Sequence, residues 1–151
     1  MTTERSSDLQ RLHDEVGTLL ARHDHRYTSG RRRLVEIIAA ADRPLTLPEI
    51  LDADDALSQS SAYRNLDVLE SSRAIRRVIS AGDHAHFELA ESLVGHHHHL
   101  ICVDCGVVED VVLDEHVESA VDGVLHHLAD QVGFTPLHHA VDLHGYCARC
   151  S

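Results

Sequence analysis

Four cysteines stand as two C-x-x-C pairs, Cys102 with Cys105 and Cys147 with Cys150. Thiolates at this spacing can enclose a tetrahedral zinc ion with no open position, an arrangement that ties chain segments together but cannot hold a reacting water. A redox dithiol is the competing chemistry. Immediately ahead of the first pair runs 'HHHHL', His96 to His99 followed by Leu100. Affinity tags sit at chain ends, so this interior run belongs to the protein. In a β-strand successive side chains point to opposite faces, so His97 and His99 look one way and His96 and His98 the other. A strand here therefore supplies two imidazoles to each of two sites. Glu88 is a carboxylate candidate for the His97 and His99 face, with His84 and His86 nearby in sequence. For the other face, Glu118 borders the apolar stripe of a helix and His139 falls on a final strand, which makes His96, His98, Glu118 and His139 a second candidate set. An ordinary hydrogen-bonded cluster is the alternative for that set.

The elements that must position these groups follow from periodicity. 'SDLQRLHDEVGTLLARH' carries Ser7 and Gln10 in capping-box register and apolar residues at helical spacing. A second helix, capped by Thr28 or Ser29, runs through Ala41 with Leu34, Ile37, Ile38 and Ala41 on one face. Thr46 and Glu49 form a capping box with Pro48 in the first turn of a short third helix. In 'SSAYRNLDVLESS' the residues Ala62, Leu66 and Leu69 point inward, leaving Ser60, Tyr63, Arg64, Asp67 and Ser71 outward. 'AIRRVIS' and 'HAHFELA' read as two strands around the turn 'AGD'. Helices followed by a hairpin are the layout of a winged helix-turn-helix, whose fourth helix here would enter a DNA major groove. Beyond 'AESLVG' the pattern changes to a small α/β unit. Two strands flank the first C-x-x-C, a helix puts Val117, Val121, Leu125 and Leu128 inward, and 'TPLHHAVDLHGYC' closes as a strand with Leu137, His139, Val141 and Leu143 on one face. The fold class is α+β, with a winged-helix unit over residues 1–90 and an α/β unit over 91–151.

Composition sets the limits. At 151 residues the chain forms one ordinary domain or two small ones, and small halves usually need a staple. No apolar run is long enough to span a bilayer and no signal segment opens the chain, so a cytoplasmic protein without a membrane partner is expected. In a reducing cytosol the C-x-x-C pairs favour metal over disulfide. A net charge of -12 argues at first against nucleic acid. Yet all thirteen basic residues are Arg and twelve precede residue 91, clustered at Arg31, Arg32 and Arg33 and at Arg73, Arg76 and Arg77. A solvated helix face is the plain reading of such clusters.

The stretches 'YTSGRRRLVEII', 'SSAYRNLDVLE', 'HFELAE', 'HHHHLICVDCG' and 'HGYCARC' together resemble the ferric uptake regulator family of metal-sensing repressors, in the family's order and over nearly the whole chain. The resemblance implies a homodimer held by the C-terminal unit, presenting two winged helices to a palindromic double-stranded DNA operator. It implies that Tyr63 and Arg64 contact DNA; Ser60 and Ser61 on the same helix are further candidates, and Arg31 and Arg32 of the Arg cluster are expected to meet phosphates. It assigns Cys102, Cys105, Cys147 and Cys150 to structural zinc, Glu88, His97 and His99 to a regulatory site between the units, and His96, His98, Glu118 and His139 to a second site. The position of the family's loop ligand falls near Arg43 and Pro44, neither of which ligates, so His84 or His86 is expected to complete the regulatory set. Imidazole and carboxylate donors suit zinc or iron(II), and also manganese or nickel. The function expected is a metal-dependent repressor rather than an enzyme. A zinc hydrolase would need an open water position and a general base, and no H-E-x-x-H motif occurs. A metal carrier or store would bind metal without sequence-specific DNA binding.

Overall fold

The computed structural model describes the backbone of residues 2–151, with side chains from residue 6 onward apart from Asp83. Two three-stranded sheets divide it, each with its own helices. The first half runs α1 (Thr2–Arg22), α2 (Ser29–Ala40), β1 (Leu45–Thr46), α3 (Leu47–Asp52), α4 (Gln59–Ser71), β2 (Ile75–Ile79) and β3 (Ala85–Leu89). Its caps are those the side chains dictate. Thr28 accepts from the Arg31 N–H at the head of α2, Ser58 does so from Ser61 at the head of α4, and Thr46 and Glu49 close a reciprocal box at α3. Helix α1 departs from expectation. It begins at Thr2, so Ser7 lies inside the helix rather than at its cap. Val16, Leu20, Leu34, Ile50, Ala62, Leu66, Leu69 and Phe87 make one continuous core joining the helices to the sheet. The sheet order is β1-β3-β2, and β2 with β3 forms the wing, turned through a short 3-10 segment where Gly82 takes φ +77°.

A single turn, α5 (Glu91–Val94), leads into the second half: β4 (His98–Cys102), β5 (Val108–Val111), α6 (Glu115–Gln131) and β6 (Asp142–Gly145). Strand β4 is central, antiparallel to β5 and parallel to β6. The first half docks here, because Val78 of the wing packs with Ile101 of β4 and Val108 of β5 in a small apolar cluster. At the wing tip Gly106, at φ +74°, lies so close to Ser80 that a Cβ there would stand 3.4 Å from the Ser80 hydroxyl.

The stripe expected to face inward on α6 does not. No α6 residue is buried, with Val117 at 49%, Leu125 at 37% and Leu128 at 53% exposure. Nor is the closing strand as long as expected. Only 142–145 is extended, His139 lies in the approach to it, and Leu137 and Leu143 are exposed rather than packed. The cause is common to both departures. Among the described residues this chain supplies no second layer over α6 and β6, so their apolar side chains remain open.

Candidate metal centres and DNA-facing helix

Each cysteine pair is carried by a strand and its exit turn. The parallel pairing of Cys102 with Gly145 brings Cys147 and Cys150 beside Cys102 and Cys105, and one donor atom from each lies within 4.8 Å of all the others. None forms a disulfide. The backbone N–H of Cys147 donates to Cys102 Sγ at 3.4 Å. With Cys105's amide, it draws the Cys102 thiol down to about 6. A thiol held near deprotonation by fixed dipoles is already a metal-ligand donor, and four at these separations fit tetrahedral zinc.

Ahead of that site β4 does what alternation requires, although regular pairing starts only at His98. His97 and His99 turn to one side and His96 and His98 to the other, into two separate donor groups. The first contains Glu88, His97, His99 and Asp110. Glu88 Oε2 stands 3.0 Å from His97 Nε2, and its Oε1 stands 3.1 Å from His99 Nε2. All three are buried. Burial pushes the Glu88 carboxyl up, but His99, His97 and Arg76 together outweigh it and bring it down to about 2. Asp110 is held above its ordinary value by burial and by the charge of Glu88. Two carboxylates pressed together beside imidazoles form a pocket suited to a divalent cation. His99 turns its other nitrogen to Asp142 Oδ1 at 3.1 Å, the outer carboxylate that orients a ligating imidazole.

The fourth member is thus Asp110 of β5, where His84 or His86 was expected. Neither joins the group. His86 is buried with Nδ1 3.3 Å from the carbonyl of His84, and both line a different cleft beside Tyr63 and Cys105. Arg43, at the loop position, is engaged by Glu49 at 2.6 Å. Only the alternation in 'GVVEDVVL' could have pointed to Asp110, and it does not say which strand lies opposite Glu88.

The second group gathers His96, His98, Glu118 and His139 as the sequence proposed, though His139 arrives from a loop. His98 Nε2 is 2.9 Å from Glu118 Oε2, and His139 Nε2 is 2.7 Å from Glu118 Oε1. Yet Glu118 Oε1 is buried without a hydrogen bond of acceptable direction, and the ring nitrogens of His96 and His139 face each other at 3.2 Å. Four donor atoms within 4.8 Å of one another, with a buried carboxylate oxygen among them left without a hydrogen bond, are what a cation site presents.

On α4 the outward residues are as expected. Tyr63 is 51% exposed and lines a shallow concavity with Gln59, Ser60 and Arg64. Ser61 is half-buried, its hydroxyl taking Asn65 Nδ2 at 3.4 Å. Arg32 is exposed, its guanidinium 4.7 Å from the Tyr27 ring centre. Arg31 is instead bound to Asn65 at 3.2 Å, bracing α2 against α4. Asp67 is within 3.5 Å of Arg77, which partly offsets its charge on this face.

The model of the ferric uptake regulator family matches residues 22–144. The chain belongs to that family. A ferric uptake regulation protein of Brucella abortus is 33% identical over 134 residues, covering 86% of this chain and 89% of the relative. Among solved structures, the ferric uptake regulator of Helicobacter pylori, described as having three functional metal binding sites, superposes with TM-score 0.73 at 21% identity over 94% of this chain and 93% of its own. A zinc uptake regulator complexed with zinc and DNA superposes with TM-score 0.56 at 22% identity, covering 93% of each chain. These likenesses confirm the winged-helix and α/β architecture of the ferric uptake regulator fold.

Proposed function

We propose that this chain is a homodimeric transcriptional repressor whose DNA binding is controlled by a divalent metal at Glu88, His97, His99 and Asp110. One observation carries the reading: Glu88 lies on the wing strand β3, while the other three donors lie on or beside β4 and β5 of the second sheet. A divalent ion, when bound, supplies a positive charge and a ligand sphere common to both halves. Glu88 then holds the wing to the second sheet, and the orientation of α4 is fixed with it. Tyr63 and Arg64, exposed on α4, are placed to meet base edges and backbone, with Arg32 near phosphate. The units divide at about residue 90, the first binding DNA and the second pairing two copies.

Pairing is supported by the exposed apolar side chains of the second half, Val117, Leu125 and Leu128 on α6 and Leu137 and Leu143 in the closing segment, which a second copy would cover. Cys102, Cys105, Cys147 and Cys150 form the structural zinc site, and His96, His98, Glu118 and His139 a second metal site. The donor types favour zinc or iron(II). The test is binding to DNA from the protein's own upstream region, titrated with zinc, iron(II), manganese and nickel at buffered free concentrations while the Cys site stays filled. Activation by one metal in a physiological range is expected. A dimer that binds metal tightly yet never gains DNA affinity would be a carrier, not a repressor.

A further inference from the structure

Two charged side chains that belong to neither donor group, Arg76 and Glu91, join the two histidine clusters. Arg76 stands directly across the wing from Glu88 in the β2–β3 register and donates to Glu88 Oε1. Its Nη1 donates to Glu91 Oε1 at 3.0 Å, and its Nη2 lies 3.4 Å from His97 Nε2. Glu91, at the head of α5, turns its other oxygen to His96 Nδ1 at 3.2 Å. The line Glu88, Arg76, Glu91, His96 therefore starts in the first cluster and ends in the second.

The chemistry of each member is restrictive. A guanidinium keeps its proton and has no lone pair to offer a metal, so Arg76 can only compete with an ion for Glu88, never join it. An ionised carboxylate only accepts hydrogen bonds, so Glu91 fixes the His96 proton on Nδ1 and leaves the lone pair on Nε2, which faces Glu118 Oε1 at 3.2 Å. That is the arrangement by which an outer carboxylate orients a ligating histidine and raises its basicity.

We propose that Arg76 is the resident cation of the first cluster and that Arg76 and Glu91 couple the two clusters, so that loading either with a divalent ion lowers the affinity of the other. When Glu88 turns to an ion, Arg76 is repelled and keeps Glu91 as its carboxylate. Glu91, paired more fully, draws less on the His96 N–H, and His96 Nε2 becomes a weaker donor. In the other direction, a Glu91 committed to His96 leaves Arg76 leaning on Glu88. The inference rests on both clusters being metal sites, but not on DNA binding.

The test is a zinc titration of the intact dimer, its Cys sites already filled, against a fluorescent zinc chelator and without DNA. His139→Ala silences the second cluster and His99→Ala the first, so each affinity is read alone and with its neighbour loaded. Arg76→Gln should tighten the first cluster on the order of tenfold, inside the usual range of site-to-site coupling, and should shrink the mutual weakening. Arg76→Lys, which retains the charge, should stay near the parent. Glu91→Gln should weaken the second cluster by roughly 10- to 100-fold, as loss of an outer partner does, and should also weaken the first, where Glu91 is no ligand. An Arg76→Gln variant with unchanged affinity, a Lys variant that behaves like Gln, or a Glu91→Gln effect confined to the second cluster overturns the proposal. A parent dimer that takes up no zinc beyond the Cys sites removes the metal reading and this inference together. A failed DNA titration with both clusters filling would leave the inference standing.

Discussion

Glu88→Gln separates holding a metal from transmitting its presence. Glu88 is the one donor of the first cluster on the wing, so the variant leaves His97, His99 and Asp110 together on the other sheet. Metal should still bind, more weakly, but without gripping the wing. In the metal-free protein the same carboxyl is held at about 2 instead of 4.5, so its ionised form is stabilised by about 3 kcal/mol, at roughly 1.4 kcal/mol per tenfold change in proton affinity. Part of that comes from Arg76 on the same wing, so His97 and His99 contribute less than the whole to closing the two halves. Because the pKa is lowered on folding, this stability is complete above about 4.5 and is lost as pH falls toward 2. The Gln variant should lack that acid limb. A typical allosteric coupling of about 1–3 kcal/mol corresponds to a metal-induced gain in DNA affinity of roughly 5- to 150-fold. For Glu88→Gln the gain should collapse toward onefold even at metal concentrations that saturate the remaining donors. Fluorescence anisotropy with labelled operator, alongside direct metal titration of the same samples, gives both quantities. A saturated Gln variant that keeps the full parental gain would show that this cluster does not drive the wing.

Asp110→Asn should weaken metal binding at the first cluster, whereas His84→Ala and His86→Ala should leave it unchanged; chelator competition with each variant decides between the structure and the sequence-based set. Tyr63→Ala and Arg64→Ala should reduce operator affinity while shifting stability by no more than about 0.5 kcal/mol, since both side chains are exposed. Operator titration and thermal melting of the same variants check this, and unchanged affinity would remove α4 from the interface. Leu128→Asp, on the uncovered face of α6, should convert dimer to monomer in sedimentation equilibrium.

Legibility from sequence follows the range of the forces involved. Caps are settled within four residues: Thr28, one of the two residues offered for α2, and Thr46, expected to box with Glu49 at α3, both form. The split of the four histidines needed only the two-residue period of an extended chain. What failed depended on distant parts of the chain. Asp110 reaches Glu88 because β5 lies beside β4 at the docked wing, a relation that no local pattern contains. The stripe on α6 has helical spacing but, among the described residues, nothing that covers it, since periodicity shows that a face wants burial without showing which molecule supplies the cover. The start of α1 differs because the helix continues upstream of Ser7 to Thr2, so a residue type favoured at helix heads lies within the helix instead.

The two clusters share one strand, and this limits how the protein can change. Because His96 and His98 point away from His97 and His99, any shift of β4 that resizes one site displaces the other by the same amount. Their spacing is set by the pleat and cannot be selected independently. Variation in metal preference must therefore fall on the members brought from elsewhere, Glu88 and Asp110 on one side and Glu118 and His139 on the other. The strand is the fixed part of both donor clusters, and each cluster's identity resides in the groups that meet it.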